Sequence, residues 1–335
     1  MSKSKSKSKN INVLTIDGGG IRGLMSAQII SYIEKRIQKH TSSDVKIGEY
    51  FDLIVGTSTG GILTCLYCFP DKNGKPLYSS QDAIDLYLKN GSSIFNNKFW
   101  FRVKGLFGLT KSKYDGKNLR TLIDKYMGNV TIDKSITNMM LTSVDPKTND
   151  LFLFKSHKAN LPSKNFKFKD GALATSAAPI YLPPHKLNGK VLVDGGMSIN
   201  NPSISGYIEA LKMFPEANKI NLISIGTGSK INKFDYKDIT NWGVIGWLFN
   251  IKTGGSPIVD VLLNSSAKGT EYLTDRLYQE KLNGDLLRID PILNNNVDFS
   301  MDNVSEKNLK EMVKSGEDTI KYYKNDIDKF LKKTL

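Results

Sequence analysis

One unit occurs twice in the first seventy residues and narrows the possible folds more than anything else in the chain. A short apolar strand runs into a glycine-rich turn, and the turn runs into a helix. The first copy is Asn12-Val13-Leu14-Thr15-Ile16, then Asp17-Gly18-Gly19-Gly20, then a stretch from Leu24 to about Lys39 with Ile30, Ile33 and Ile37 on one stripe. That spacing buries one face of a helix. The second copy is a strand over 50–55, the turn Gly56–Gly61 and a helix through Cys68. Two successive units of this kind predict an α/β chain, a mostly parallel central sheet covered by helices.

The rest of the chain fits that frame. The segments 139–144 and 151–154 flank the turn cluster Asp145-Pro146-Lys147-Thr148-Asn149-Asp150, so a hairpin is expected there. Val191-Leu192-Val193 is a strand entering Asp194-Gly195-Gly196, and 220–225 is a strand entering Gly226-Thr227-Gly228. From Ser305 onward, Leu309, Met312, Val313, Ile320, Ile327 and Phe330 recur at helical spacing. Residues 75–113 look less regular, with many aromatics and lysines. The expected organisation is a basic, disordered tail over 1–10 and one domain with peripheral helices over 11–335.

Composition limits the class of function. A net charge of +14 over 335 residues favours anionic partners such as phospholipid head groups, nucleic acid or an acidic protein. Two cysteines cannot build a disulfide framework. The apolar run 11–16 is too short for the core of a signal peptide. Residues 53–70 are uncharged and near the length of a membrane span, but a polar glycine turn interrupts them. No transmembrane segment is predicted, and the expected location is cytoplasmic or peripheral to a membrane.

Gly56-Thr57-Ser58-Thr59-Gly60 fits G-x-S-x-G. A nucleophilic serine needs this spacing for a steric reason. The serine sits on a sharp strand-to-helix turn, and glycines two residues either side let strand and helix pass closely. Asp17-Gly18-Gly19-Gly20-Ile21-Arg22-Gly23 admits two readings. Gly18, Gly20 and Gly23 satisfy the dinucleotide fingerprint G-x-G-x-x-G, although no acidic residue ends the following strand. Alternatively, consecutive glycine N–H groups converge on a developing oxyanion, with the Arg22 charge beside them or at the surface in an ion pair.

A serine hydroxyl also needs a proton acceptor. His40 lies in a polar stretch, His157 beside lysines and His185 in a turn after two prolines; none ends a strand at a glycine turn. Asp194 does, and partial burial raises a carboxylate toward useful basicity. Capping its own turn is the other role open to it.

The ordered set Asp17–Gly23, Gly56–Gly61, Ala174-Thr175-Ser176-Ala177-Ala178-Pro179 and Asp194-Gly195-Gly196 resembles the patatin-like phospholipase family. So do Lys113-Tyr114-Asp115-Gly116-Lys117, Asn200-Asn201-Pro202, Ile225-Gly226-Thr227-Gly228 and the stretch 308–317, as in the plant patatins. The resemblance runs from about residue 11 to 330. It implies a three-layer α/β/α fold and a Ser–Asp dyad without histidine. Ser58 is then the nucleophile and Asp194 the base. Gly18, Gly19, Gly20 and Arg22 form the oxyanion segment, and Gly56 and Gly60 the elbow. The implied reaction is hydrolysis of acyl esters in phospholipids or galactolipids, with no calcium, other metal or cofactor.

Contact with an anionic membrane surface is expected from Ile94-Phe95, Phe99-Trp100-Phe101 and Leu106-Phe107, interleaved with Lys98, Arg102, Lys104, Lys111 and Lys113. The same stretch could instead pack its aromatics inward. No nucleic-acid partner is expected. The segment 242–249 (WGVIGWLF) is a second candidate for that membrane contact, where burial as a helix is the expectation, and Cys65 and Cys68 are expected to be buried structural thiols. The rival readings are a nucleotide-binding protein that uses the Gly18–Gly23 loop and a non-catalytic storage or interaction protein on the same fold. Composition and motifs leave the oligomeric state open.

Overall fold

In the computed structural model, β1 (Asn10–Ile16) lies in the middle of the sheet. Its Val13, Leu14 and Ile16 are fully buried, which is why it reads as a continuous apolar run rather than an alternating one. The structure describes residues 9–95, 112–229, 235–248, 256–280 and 282–335. The other strands are β2 (Leu53–Gly56), β3 (Asn138–Asp145), β4 (Asp150–Lys155), β5 (His185–Leu187), β6 (Lys190–Asp194), β7 (Lys219–Ile225) and β8 (Leu286–Ile289). Strands β3-β2-β1-β7-β8 are parallel throughout. β4, β5 and β6 form an antiparallel margin.

The helices are α1 (Gly23–Thr41), α2 (Ile47–Tyr50), α3 (Thr59–Cys68), α4 (Ser80–Ile94), α5 (Lys117–Met127) and α6 (Phe168–Thr175), followed by α7 (Ser203–Met213), α8 (Tyr236–Thr240), α9 (Gly243–Leu248), α10 (Pro257–Glu280) and α11 (Glu306–Thr334). They cover both faces of the sheet. Leu14, Ile54 and Ile223 face a large cluster with α1, α3 and α11, while Val13, Val55 and Leu222 face a smaller one with Tyr207 and Ala210 of α7. α11 begins where Ser305 caps it, its hydroxyl accepting the Asn308 N–H at 3.3 Å. Its Met312, Ile327, Phe330 and Leu331 are buried, each contributing roughly 1.5–3 kcal/mol.

Three expectations change. The second strand starts at Leu53, because residues 47–50 form the short helix α2. The irregular stretch after Lys75 contains α4, started by a capping box in which Ser79 and Asp82 satisfy each other's N–H groups. α9 forms, but not as a buried helix: Val244 and Ile245 are 75% and 72% exposed. The hairpin β3–β4, the strands β6 and β7 and the terminal helix stand where the sequence puts them. No helix among the described residues is long and apolar enough to cross a membrane.

Candidate active site

The sheet register brings the two glycine turns to one level. Ile16 pairs with Gly56 on one side and with Ile225 on the other, so the turns after β1, β2 and β7 leave the sheet together. β1 is also where the strand order divides, with β2 and β3 to one side and β7 and β8 to the other. Crevices at such a division are where open α/β sheets bind ligands.

β6 arrives from the opposite direction. Met140 of β3 pairs with both β2 and β4, and Ser143 pairs with both β4 and β6. β2 and β6 therefore share one edge of β3, end to end. β2 runs out after Gly56, and β6 runs in to stop at Asp194, opposite Ser143. Antiparallel arrival on a shared edge is what sets Asp194 beside the turn that carries Ser58.

Ser58 has φ 55° and ψ −122°, a conformation costly for a residue with a side chain. Its neighbours impose it. The Ser58 N–H donates to the Thr175 hydroxyl at 2.9 Å, and the N–H groups of Gly61 and Ile62 donate back to the Ser58 carbonyl. A Cβ on Gly60 would stand 2.2 Å from the Ile16 carbonyl oxygen, so only glycine lets α3 start this close to β1. Gly56 is hemmed in the same way by the Gly60 carbonyl, at 2.2 Å.

Asp194 is 3% exposed. Burial pushes its carboxyl up to about 7, against the lowering effect of the neighbouring Ser58 side chain and of the Gly196 N–H, which donates to Oδ1 at 2.7 Å. The three histidines stand apart from this pair in their bonding. His157 meets Glu209, His185 lies in β5 against Asp170, and His40 is exposed.

The glycine turn packs over the serine. A Cβ on Gly18 would lie 3.1 Å from the Ser58 Cβ. Gly20 has φ +61° and faces the Met301 carbonyl, so a side chain is excluded there twice over. Among the described residues, the N–H groups of Gly19, Gly20 and Thr59 have no protein acceptor. That of Gly18 does: it donates to the Asn200 carbonyl at 3.1 Å. Gly18 is thus anchored rather than available as a donor.

Arg22 is neither at the surface nor a free charge over the site. It is 2% exposed and stacks on Phe299 at 3.8 Å. It donates to the carbonyls of Gly19 (3.2 Å) and Gly228 (2.9 Å). The turn is held further by Thr227, whose hydroxyl donates to the Gly18 carbonyl at 2.8 Å, and by Asp17, which forms a two-pronged ion pair with Arg288. Thr175, Asn200 and Thr227 all lie in motifs of the family pattern. Arg288 lies in none.

From Ser58 an apolar pocket enters the protein between α3, α4 and α5, past Ile62, Leu86, Leu119, Leu122 and Ile123. Among the described residues, none that lines it is charged. Ile94 and Phe95 belong to its wall, and Phe95 stands edge-on to Tyr114 at 5.4 Å. The part of the aromatic–basic stretch that is seen therefore faces inward, and the remainder, 96–111, lies outside the described residues. Cys65 and Cys68 are buried, free thiols, both pushed up by burial, Cys68 to about 12.

Comparison with known proteins agrees with this architecture. Residues 14–204 match the family model described as patatin-like phospholipase. Patatin-like protein 4 of Arabidopsis thaliana is 33% identical over 330 residues, covering 92% of this chain and 82% of its own. Patatin-like protein 2 of Oryza sativa subsp. indica is 34% identical over 346 residues, covering 94% and 85%. Among solved structures, VipD from Legionella pneumophila aligns with a TM-score of 0.37 at 11% identity, over 95% of this chain and 72% of that one. The chain belongs to the patatin-like phospholipase family of lipid acyl hydrolases.

Proposed function

We propose that this protein cleaves fatty-acyl esters of phospholipids or galactolipids by a Ser58–Asp194 dyad. One observation carries the reading: a serine held in a strained turn acts on a buried carboxylate that burial drives toward its protonated form, where an apolar pocket opens. Asp194 takes the Ser58 proton as Oγ adds to the ester carbonyl carbon. The N–H groups of Gly19, Gly20 and Thr59 receive the oxyanion, while Asn200, Thr227 and Arg22 keep the turn in place. Collapse expels the alcohol, which takes the proton from Asp194 and leaves an acyl-serine. Water then attacks, losing its proton to Asp194, and the second collapse returns that proton to Ser58. Each charge that develops meets a protein group, so the scheme assigns no role to calcium.

The pocket favours an acyl chain over a nucleotide. A diphosphate seeks cations, and among the described residues none lines it. The exposed Val244 and Ile245 of α9, on a chain of net charge +14, provide a surface for an anionic lipid interface. Vesicle sedimentation tests this: Val244→Asp/Ile245→Asp should bind anionic vesicles more weakly than the parent, and equal binding removes α9 from the interface.

A fluorophosphonate probe should label Ser58 alone. Ser58→Ala should lower kcat by about 10⁴-fold on a lipid panel, with turnover of the parent unchanged by a chelator. Near-parental turnover by Ser58→Ala ends the assignment.

A further inference from the structure

We infer that Asp17 and Arg288 are positioning residues that hold the Gly18–Gly20 turn in the shape its proposed task requires. This makes β8 a working part of the site, and it rests on the oxyanion role proposed above. Three glycines in a row have no side chains with which to fix their own course, so their geometry must be imposed from outside. The neutral anchors are the Asn200 carbonyl and the Thr227 hydroxyl on Gly18, and Arg22 adds one bond to the Gly19 carbonyl. The Asp17–Arg288 pair is different in kind. Arg288 Nη1 donates to Oδ1 at 3.0 Å and Nη2 to Oδ2 at 2.6 Å, with Asp17 only 2% exposed. A fork of two parallel bonds fixes the plane of the carboxylate as well as its distance. It acts on the residue that enters the turn, whose own N–H is bonded to the Ile225 carbonyl at 2.9 Å.

The fork is tied in turn to the neighbouring strands. Nη1 also donates to the Ser224 hydroxyl at 2.8 Å. Asp290, 4.0 Å from Nη2, accepts the Gly228 N–H at 2.9 Å, beside the Thr227 that holds Gly18. Arg288 thereby links the turns after β1 and β7 to the end of β8.

A cavity of about 350 Å³ reaches Arg288 from outside, walled by Ser224, Lys268, Glu271, Tyr272, Asp275 and Leu286. It makes chemical rescue feasible. With the full chain and p-nitrophenyl butyrate, Arg288→Lys, which keeps the charge but loses the fork, should lower kcat about tenfold, and Arg288→Ala about a hundredfold. KM should stay within about twofold in both. Low-millimolar methylguanidinium should restore much of the Arg288→Ala turnover, and sodium chloride at the same ionic strength none. The inference is overturned if folded Arg288→Lys turns over like the parent, if the loss lies in KM, or if salt rescues equally. Should Arg288→Ala fail to fold, Arg288→Lys carries the test through its kcat and KM alone. A parent chain without Ser58-dependent turnover overturns the dyad instead, so the two failures are told apart.

Discussion

Asp17 directly follows β1 and Asp194 ends β6, with three glycines after the first and two after the second. Both carboxyls are buried, and burial lifts both, Asp17 to about 6 and Asp194 to about 7. Their partners differ. Asp17 faces a guanidinium that opposes the shift, keeps it charged at neutral pH and holds it in a fork. Among the described residues, Asp194 faces a hydroxyl and an N–H and no cation. A carboxylate with a permanent cation is a poor proton acceptor and a good anchor. One without a cation is destabilised as an anion and gains by taking a proton, as a general base must. The strand–Asp-Gly-Gly pattern sets burial and close approach, and the partner sets the task.

Substitution to asparagine separates the two most sharply. Asp194→Asn should lower kcat by about 10⁴-fold while raising the thermal midpoint at pH 8 by roughly 5 °C, because a buried unpaired charge is removed. Asp17→Asn should lower kcat by about tenfold to a hundredfold and raise the midpoint less than Asp194→Asn does, because the charge it removes is one that Arg288 is paired with. Thermal melts beside steady-state kinetics read both, and an equal rise in the two variants would break the contrast.

The pH profile sharpens it. kcat/KM should fall as pH drops through about 7, when Asp194 protonates. Both folded carboxyls hold protons more tightly than the unfolded value of 3.8. The folded state therefore binds more protons between about 4 and 7, and stability contributed by these groups is lost as pH rises through that window. Asp194→Asn should flatten the dependence in its upper part, and an unchanged slope would contradict the burial argument.

Smaller effects are expected away from the carboxylates. Leu122→Ala lengthens the apolar pocket and should shift chain-length preference toward longer esters by about tenfold, measured as a ratio of kcat/KM values. His157→Ala and His185→Ala should keep kcat within about threefold, since both rings pair with carboxylates outside the proposed dyad. A dead His185→Ala that still folds would return a histidine to the mechanism.

Local chemistry along the chain was enough to mark the α/β class, both glycine turns, Ser58 and Asp194. Each of these depends on residues within a few positions of one another: helical or strand periodicity, and glycines where backbones must approach. Arg22 and Gly18 were visible as residues but not in their roles, because their partners Gly228, Phe299 and Asn200 lie far along the chain. α9 was readable as a helix, while its exposure depends on what packs around it.

Arg288 was not legible at all. Leu286-Leu287-Arg288-Ile289 is a four-residue strand with no glycine signature, and it meets Asp17 across 271 positions. Neighbouring residues alone mark which backbone segments turn, which side chains are candidates for the reacting oxygens, and the family pattern that joins them. Which buried carboxylate keeps a cation emerges only on folding, because that follows from the sheet register, and register is a property of strands pairing across the whole chain rather than of neighbours within it.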